Sequence, residues 1–571
     1  MCGIFGVISS SIEKENSFHS SQYIQSRGPD RTLHISGKEY FLAFHRLSIM
    51  NTSPLADQPF VYEYILPNGT RENYIVMCNG EIYNYKQLLS LYLPEREVRN
   101  DIDSIYYLFE HFHFHFAKLN EALNGEYALV IIKFVDDEIK TMWMSTDTSS
   151  VRPLFVYTDI HTVAFSSLLI GLTSLLPEKC NGIQRLKGGD CVVLQFTRVS
   201  EGLRTLGDEQ EEVKDEKNKI QIYSELQYNY IPAGMNEWTN IKHTLENKEL
   251  YSRIVNTLEQ AVKCRLFSDR EMGCLLSGGL DSSLVASIAA DYLQKNGGKK
   301  LRTFSIGMSG GTDLKYARMV ADHIGSEHTE ILFTPEEGLS LIDDVIKCCE
   351  TYDITTIRAS IPQHLLARYI SKHTDIKVVL NGDGADECEM GYLYFYNSPN
   401  WSSAHLDSNR LVDEIHLYDG LRVDRNLSHW GLEARVPFLD KHFVGLYKSI
   451  HPALKVPVPS SRPEKYLIRK AFEVIVPDLL PREVLYRTKE AFSDAVSSRE
   501  KSWYLMIQDY IGEKKGMTER EYYSSRFDEW FGRDCRHVIP HYWMPSWSQT
   551  DDPSARTLDV YLNTVQDYLT V

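Results

Sequence analysis

Met272-Gly273-Cys274-Leu275-Leu276-Ser277-Gly278-Gly279-Leu280-Asp281-Ser282-Ser283 decides the architecture of the second half of the chain. The apolar run 272–276 reads as a buried strand, and the apolar-periodic run 282–293 reads as a helix. Between them, Gly278 and Gly279 permit a tight turn and a close approach of backbone to a ligand. A glycine turn that opens a helix offers backbone N–H groups and a positive dipole end, which suits a phosphate. No GxxxxGK[ST] pattern occurs, so a kinase-type or ATPase phosphate loop is not indicated.

Working outward, a helical pattern at 250–266 precedes this loop. A strand at 301–308, a helix at 314–325, a strand at 329–334 and a strand ending in Lys377-Val378-Val379-Leu380-Asn381-Gly382-Asp383-Gly384 follow it. Alternating β and α elements predict a doubly wound parallel sheet, here within 241–571, with a mainly helical part after about residue 400. The first half reads differently. Short β-like runs such as 39–49, 73–80, 127–134, 140–146 and 189–196 alternate with turn signals, which predicts an α+β domain on antiparallel sheets over 2–200. One helix is expected near 102–122. Residues 201–240 open with a polar, charge-dense stretch that cannot bury apolar surface and read as a connector.

Bulk properties narrow the function. A 571-residue chain exceeds one hydrophobic core. With 61 basic against 78 acidic residues the net charge is −17, which argues against nucleic acid as a partner. No run approaches the roughly 20 apolar residues of a membrane span. The N-terminus has no basic region before its apolar run, so it does not read as a signal peptide. The ten cysteines show no CxxC pair or zinc spacing, which points to a reducing, cytoplasmic setting. His111 and His115 would share a helix face, but no acidic or cysteine ligand accompanies them, and they read as structural or surface residues.

Met1-Cys2-Gly3 begins the chain. Removal of Met1 would leave Cys2 with both a thiol and a free α-amine, and an α-amine titrating at about 7.7–8.0 can take the thiol proton directly. A cysteine heading an edge strand is the bland alternative. Further residues decide between the two: Cys2-Gly3-Ile4-Phe5-Gly6, Ser26-Arg27-Gly28-Pro29-Asp30, His45-Arg46-Leu47-Ser48-Ile49 and Asn79-Gly80-Glu81-Ile82-Tyr83-Asn84. Together they resemble class II, N-terminal-nucleophile glutamine amidotransferase domains, whose fold is two stacked antiparallel sheets in an αββα arrangement. The resemblance implies that Cys2 attacks the glutamine side-chain amide. It further implies that Arg46, with Leu47, Ser48, Ile49 and Met50 beside it, holds the substrate α-carboxylate. Asn79 and the Gly80 N–H would form the oxyanion hole, and Glu81 and Asp101 would secure the substrate ammonium.

In the second half, Ser277-Gly278-Gly279-Leu280-Asp281-Ser282-Ser283 resembles the loop of enzymes that split ATP into AMP and diphosphate. Leu380-Asn381-Gly382-Asp383-Gly384-Ala385-Asp386-Glu387 and Tyr486-Arg487-Thr488-Lys489 look like the glutamine-hydrolysing asparagine synthetase family, and the likeness runs from residue 2 to about 560. It implies that L-aspartate, L-glutamine and ATP are substrates and that a β-aspartyl-AMP intermediate forms. ATP would lie along Leu275, Ser277, Gly278, Gly279, Asp281, Ser282, Ile306, Asn381 and Gly382. Mg²⁺ would bind Asp281 and Asp386, Lys489 would meet the departing phosphates, and a homodimer is implied. Ammonia would pass between the two sites by a dry internal route.

Three places depart from the family pattern. Phe165-Ser166-Ser167-Leu168 lacks a glutamate, 51–57 lacks the usual Asp and Gly before Gln58-Pro59, and Asp383 replaces a glutamate. A related amide ligase and a silent scaffold are the rival readings. Intact Cys2, Arg46, Asn79 and Asp101 favour live glutaminase chemistry.

Overall fold

The computed structural model describes residues 1–199, 202–205, 247–497 and 501–559. These form two compact units. One takes the described residues through 205 together with Ser428–Leu432 and Asp528–Val538, and the other takes the remainder. Of the expected connector at 201–240, only Gly202–Thr205 is described, and it pairs antiparallel with Cys191–Val199. The rest lies outside the described residues.

The first unit holds two six-stranded antiparallel sheets. One runs, edge to edge, Ile183–Arg185, Phe155–Thr158, Thr162–Ser166, Gly3–Ser9, Tyr40–Arg46, Arg31–Ser36. The other runs Gly202–Thr205, Cys191–Val199, Glu138–Thr146, Gly125–Val135, Arg71–Ile82, Phe60–Ile65. Strand periodicity explains the layering. In Arg71–Ile82, Ile75 and Met77 enter the core between the sheets with Leu42, Val130 and Met144. The alternate residues Tyr74, Val76 and Cys78 join the outer core with Ile105, Leu108 and Phe109. Both faces are therefore covered, which is why these strands read as nearly unbroken apolar runs. Lys14–Gln22 and Leu169–Leu175 pack on the first sheet, and three helices cover the second, giving four layers in the order αββα.

The single helix expected near 102–122 is two. Ser104–His111 ends before His113 and Phe114, both with positive φ, and His115 caps Phe116–Ala122 by accepting from Lys118 N. His111 and His115 thus do not share a helix face.

The second unit carries a five-stranded parallel sheet in the order Glu327–Leu332, Arg302–Gly307, Met272–Leu275, Val378–Leu380, Glu433–Arg435. Met272–Leu275 comes first in the chain yet lies centrally, so strand order reverses beside it. At such a switch point the loops leave in opposite directions and a crevice opens at the carboxyl ends. Glu433–Arg435 is a strand inside the region expected to be helical, too short for any periodic signal. The core around this sheet includes Leu258, Leu284, Ile288, Val320, Leu380 and Phe472, all buried. No helix among the described residues is long and apolar enough to cross a membrane. Leu284→Ala removes a fully buried side chain from this core, and urea unfolding followed by tryptophan fluorescence should record a loss of about 2–5 kcal/mol.

Candidate active sites

Cys2 enters the first strand, whose Gly3 is registered against His45. That pairing sets the Cys2 thiol beside the chain leaving the neighbouring strand: Sγ is 3.4 Å from Leu47 N and 3.6 Å from Leu47 O. Arg27 Nε donates to the Cys2 carbonyl at 2.9 Å. Met1 is buried, and its α-amine donates to Leu432 O at 3.4 Å, so in the full chain the free amine belongs to Met1.

Asn79 is fully buried, and neither atom of its side-chain amide has a hydrogen-bond partner. A buried amide left unpaired carries a desolvation cost, and a developing oxyanion would relieve it. Gly80 sits at φ +145°, and a Cβ there would lie 2.0 Å from Glu126 O, so only glycine fits. The backbone opposite is held firmly. Glu126 pairs with Arg152 at 2.9 Å out of solvent, and Asp147 accepts N–H groups from Tyr127, Ser149, Val151 and Arg152. Burial lifts the Asp147 carboxyl to about 6 in spite of those donors.

Cys78, next in chain to Asn79, has its thiol raised by burial and then by the charges of Asp101, Cys2 and Glu81. Asp101 accepts from Ile82 N at 2.8 Å, and Asp30 from Ser48 N at 2.8 Å. Leu47, Ser48 and Ile49 are buried, and Met50 is half-buried. Arg46 is 4% exposed and already engaged: Nη1 donates to Asp57 at 2.5 Å and to Ser53 O at 2.8 Å, and Nη2 donates to Asn51 O. Nothing in the sequence pattern anticipated Asp57 there.

In the second unit the 277–283 turn is organised by its serines. Ser282 Oγ accepts from Ser277 N at 3.2 Å and lies 3.0 Å from Ser277 Oγ, while Gly279 caps the 16-residue helix Leu280–Lys295. A Cβ at Gly382 would lie 2.6 Å from Ser282 N, so the segment that leaves the strand Val378–Leu380 presses on the first turn of the helix Leu280–Lys295. A cleft of about 1010 Å³, solvent at its mouth included, lies against them. Every nucleotide residue expected from the sequence lines it except Gly278, which takes a positive φ and packs on Tyr316 and Ala317. Asp383, Asp386 and Lys489 line it too. Asn381 Nδ2 is buried there without a partner.

Lys465, missed from the sequence, is central. Its ammonium lies 2.5 Å from Asp281 Oδ2 and 2.6 Å from Asp386 Oδ1, and Lys489 reaches Asp386 Oδ2 at 2.5 Å. Burial alone would raise the Asp386 carboxyl, but the two ammonium groups outweigh it and hold the pKa down at about 2. The only sequence cue is a lysine just before the helix Tyr466–Ile475. Asp281 Oδ1 has no partner, and the paired carboxylates beside the 277–283 turn fit Mg²⁺, which takes one or two protein carboxylates and completes its shell from other oxygen ligands and water. Among the described residues there is no cluster of three or more His, Cys, Asp or Glu that would cage a metal alone.

Asp383 is tied to Arg422 Nη2 at 2.6 Å, and Arg422 also meets Asp419 and Gln363. Burial nonetheless raises the Asp383 carboxyl, with the Asp419 charge adding to it against the pull of Arg422. Arg422 is a second residue the sequence pattern did not reveal.

Because the Asp386 pKa is depressed from 3.8, its stabilising effect is complete above that pH and fades as pH falls through about 2. Urea titrations should show Asp386→Asn weaker than the parent by about 2 kcal/mol at pH 6, with the gap closing as pH approaches 2.

The family model described as Asparagine synthase matches residues 253–410 and 398–548, and the Glutamine amidotransferase domain model matches 1–186. The chain is 36% identical over 597 aligned residues to the Gallus gallus protein named glutamine-hydrolyzing asparagine synthetase, covering 99% of this chain and 100% of that one. The Bos taurus protein of the same name is 35% identical with 98% and 99% covered, and the Homo sapiens one 34% with 99% and 100%. Likeness of this extent over both units places the chain in the glutamine-hydrolysing asparagine synthetase family.

Proposed function

We propose that the chain converts L-aspartate, L-glutamine, ATP and water into L-asparagine, L-glutamate, AMP and diphosphate. The observation that carries this is one chain bearing two chemically complementary sites, a thiol beside an unpaired buried amide and a phosphate turn beside lysine-bridged carboxylates. The glutaminase part is assigned to 2–200, the synthetase part to 241–571 and the connector to 201–240.

At the first site, Met1 is removed and the Cys2 amine takes the thiol proton. Sulfur then attacks the glutamine γ-carbonyl, Asn79 Nδ2 and Gly80 N–H hold the oxyanion, and ammonia leaves. Water frees glutamate from the thioester. Arg46 takes the α-carboxylate within the 46–50 segment, and Glu81 and Asp101 take the α-ammonium.

At the second site the aspartate β-carboxylate attacks the ATP α-phosphorus and diphosphate departs. Ser277, Gly279 and Ser282 hold the phosphates, Leu275, Ile306, Asn381 and Gly382 seat the nucleoside, and Gly278 makes the turn. Lys465 and Lys489 lie where negative charge accumulates. Asp281 and Asp386 would hold Mg²⁺, whose charge would add to that neutralisation. Ammonia then attacks the β-aspartyl carbon, AMP leaves, and Asp383 accepts the proton that the attacking nitrogen sheds. The raised Asp383 carboxyl supports that role. Cytoplasmic residence is supported by ten free cysteines, absence of nucleic acid by the charge of −17, and a homodimer by family likeness.

Purified protein given aspartate, ATP, Mg²⁺ and glutamine should release asparagine and AMP in equal amounts. Cys2→Ala should make asparagine only from added ammonium; asparagine from glutamine in that variant would remove Cys2 from the scheme. Asp383 carries its carboxylate about one methylene short of the family glutamate, and Asp383→Glu should raise ammonium-dependent kcat/KM by up to about 10²-fold. An unchanged yield of asparagine per ATP in that variant counts against the assigned role.

A further inference from the structure

Arg46 does not wait with its guanidinium open. Both hydrogens of Nη1 are committed, to Asp57 and to Ser53 O, and Nη2 donates to Asn51 O. Asp57 is 9% exposed and is delivered there by a built loop. Asn51, at positive φ, is anchored through Nδ2 to Arg99 O and accepts from both Ser53 N and Ser53 Oγ. Ser53 starts the short turn Pro54–Ala56, and Asp57 ends it. The next residue, Gln58, is locked to Cys78 by two hydrogen bonds, of 2.7 and 3.2 Å. Asp57 therefore sits between two fixed points with its carboxylate on Arg46. This loop is also where the sequence departs from the family pattern before Gln58-Pro59.

We propose that Asp57 is an internal competitor for the α-carboxylate of glutamine on Arg46 and sets how readily the first site takes that substrate. The inference rests on the assignment of Arg46 as the α-carboxylate residue. A second contact gives the competitor somewhere to go. Arg31, 48% exposed, also reaches Asp57, at 2.5 Å, and stands directly opposite Arg46 across the paired strands. Like charges in that register repel, and the shared carboxylate neutralises both. When glutamine arrives, Asp57 can yield Arg46 and stay with Arg31 near solvent, so no buried charge is stranded. The apparent affinity for glutamine is then reduced by the fraction of molecules in which Asp57 has yielded.

The test uses the full chain and measures glutamate release from L-glutamine beside hydrolysis of L-glutamine α-amide, which keeps the reacting group but lacks the α-carboxylate. In the unaltered protein kcat/KM should favour glutamine by less than about tenfold, because Arg46 is already neutralised. Asp57→Asn should lower the glutamine KM on the order of tenfold with kcat unchanged, and should move the α-amide KM by less than about twofold. A glutamine KM that rises in Asp57→Asn makes Asp57 a positioning residue, and one that does not move removes it from substrate selection; either overturns the proposal. Arg31→Gln, a change at a half-exposed position, provides a second variant. Without its outer partner Asp57 should yield less readily and the glutamine KM should rise several-fold, of order 3–10; an unchanged or lower value counts against the model. Arg46→Gln separates the two ideas, since a glutamine KM and amide selectivity that survive it refute the Arg46 assignment itself, whatever Asp57 does.

Discussion

The ammonium of Lys465, lodged between Asp281 and Asp386, allows two carboxylates from distant parts of the sequence to occupy one secluded cleft. Without a cation there, their mutual repulsion and the loss of hydration would drive one to bind a proton or push the segments apart. The same rule shapes the other polar centres. Glu126 has Arg152, Asp383 has Arg422, and Arg46 has Asp57. Glu389 meets the rule differently. Its oxygens make no hydrogen bond, and burial raises its carboxyl well above the usual carboxylate range.

Backbone approach is the second constraint, and it converts glycine from a weak cue into a requirement. At Gly80 and Gly382 neighbouring backbone stands where a side chain would be. At the first position this leaves an N–H beside the unpaired Asn79 amide. At the second it closes the gap between a strand end and the first turn of the helix Leu280–Lys295. The two sites thus share a method although they share no fold: a strand end, a glycine and a polar group held without a protein partner.

Much of this was legible in the residues. The apolar run 127–134 falls within an observed strand, and 301–308 exceeds one by a single residue at each end, because their burial pattern is set locally. The turn at 277–283 announced a parallel sheet because few other structures need two glycines between an apolar run and a helix. What escaped notice was non-local. Glu433–Arg435 is three residues whose strand character comes entirely from pairing with Val378–Leu380. The helix Ile354–His373 carries Pro362 in its interior, where propensity alone argues for a break. Lys465 and Arg422 belong to no pattern read from the sequence, and only the fold brings each to a carboxylate far away in sequence. Asp57 was legible only as a departure from a pattern, since its partner Arg46 had another role assigned.

The glutaminase unit is not a continuous stretch of chain, because Ser428–Leu432 and Asp528–Val538 belong to it. Arg27 donates to Ser428 Oγ, Met1 to Leu432 O, and Cys180 to Phe531 O, while His537 Nε2 is 2.7 Å from Ile183 O. During translation these partners emerge last. At ~5–20 residues per second, roughly 15–70 s separate residue 205 from residue 538. For most of that interval Ser428, which accepts from the Arg27 that donates to the Cys2 carbonyl, has not yet been made. The order of synthesis therefore withholds the last pieces of the glutaminase unit until the ammonia-consuming half of the chain exists.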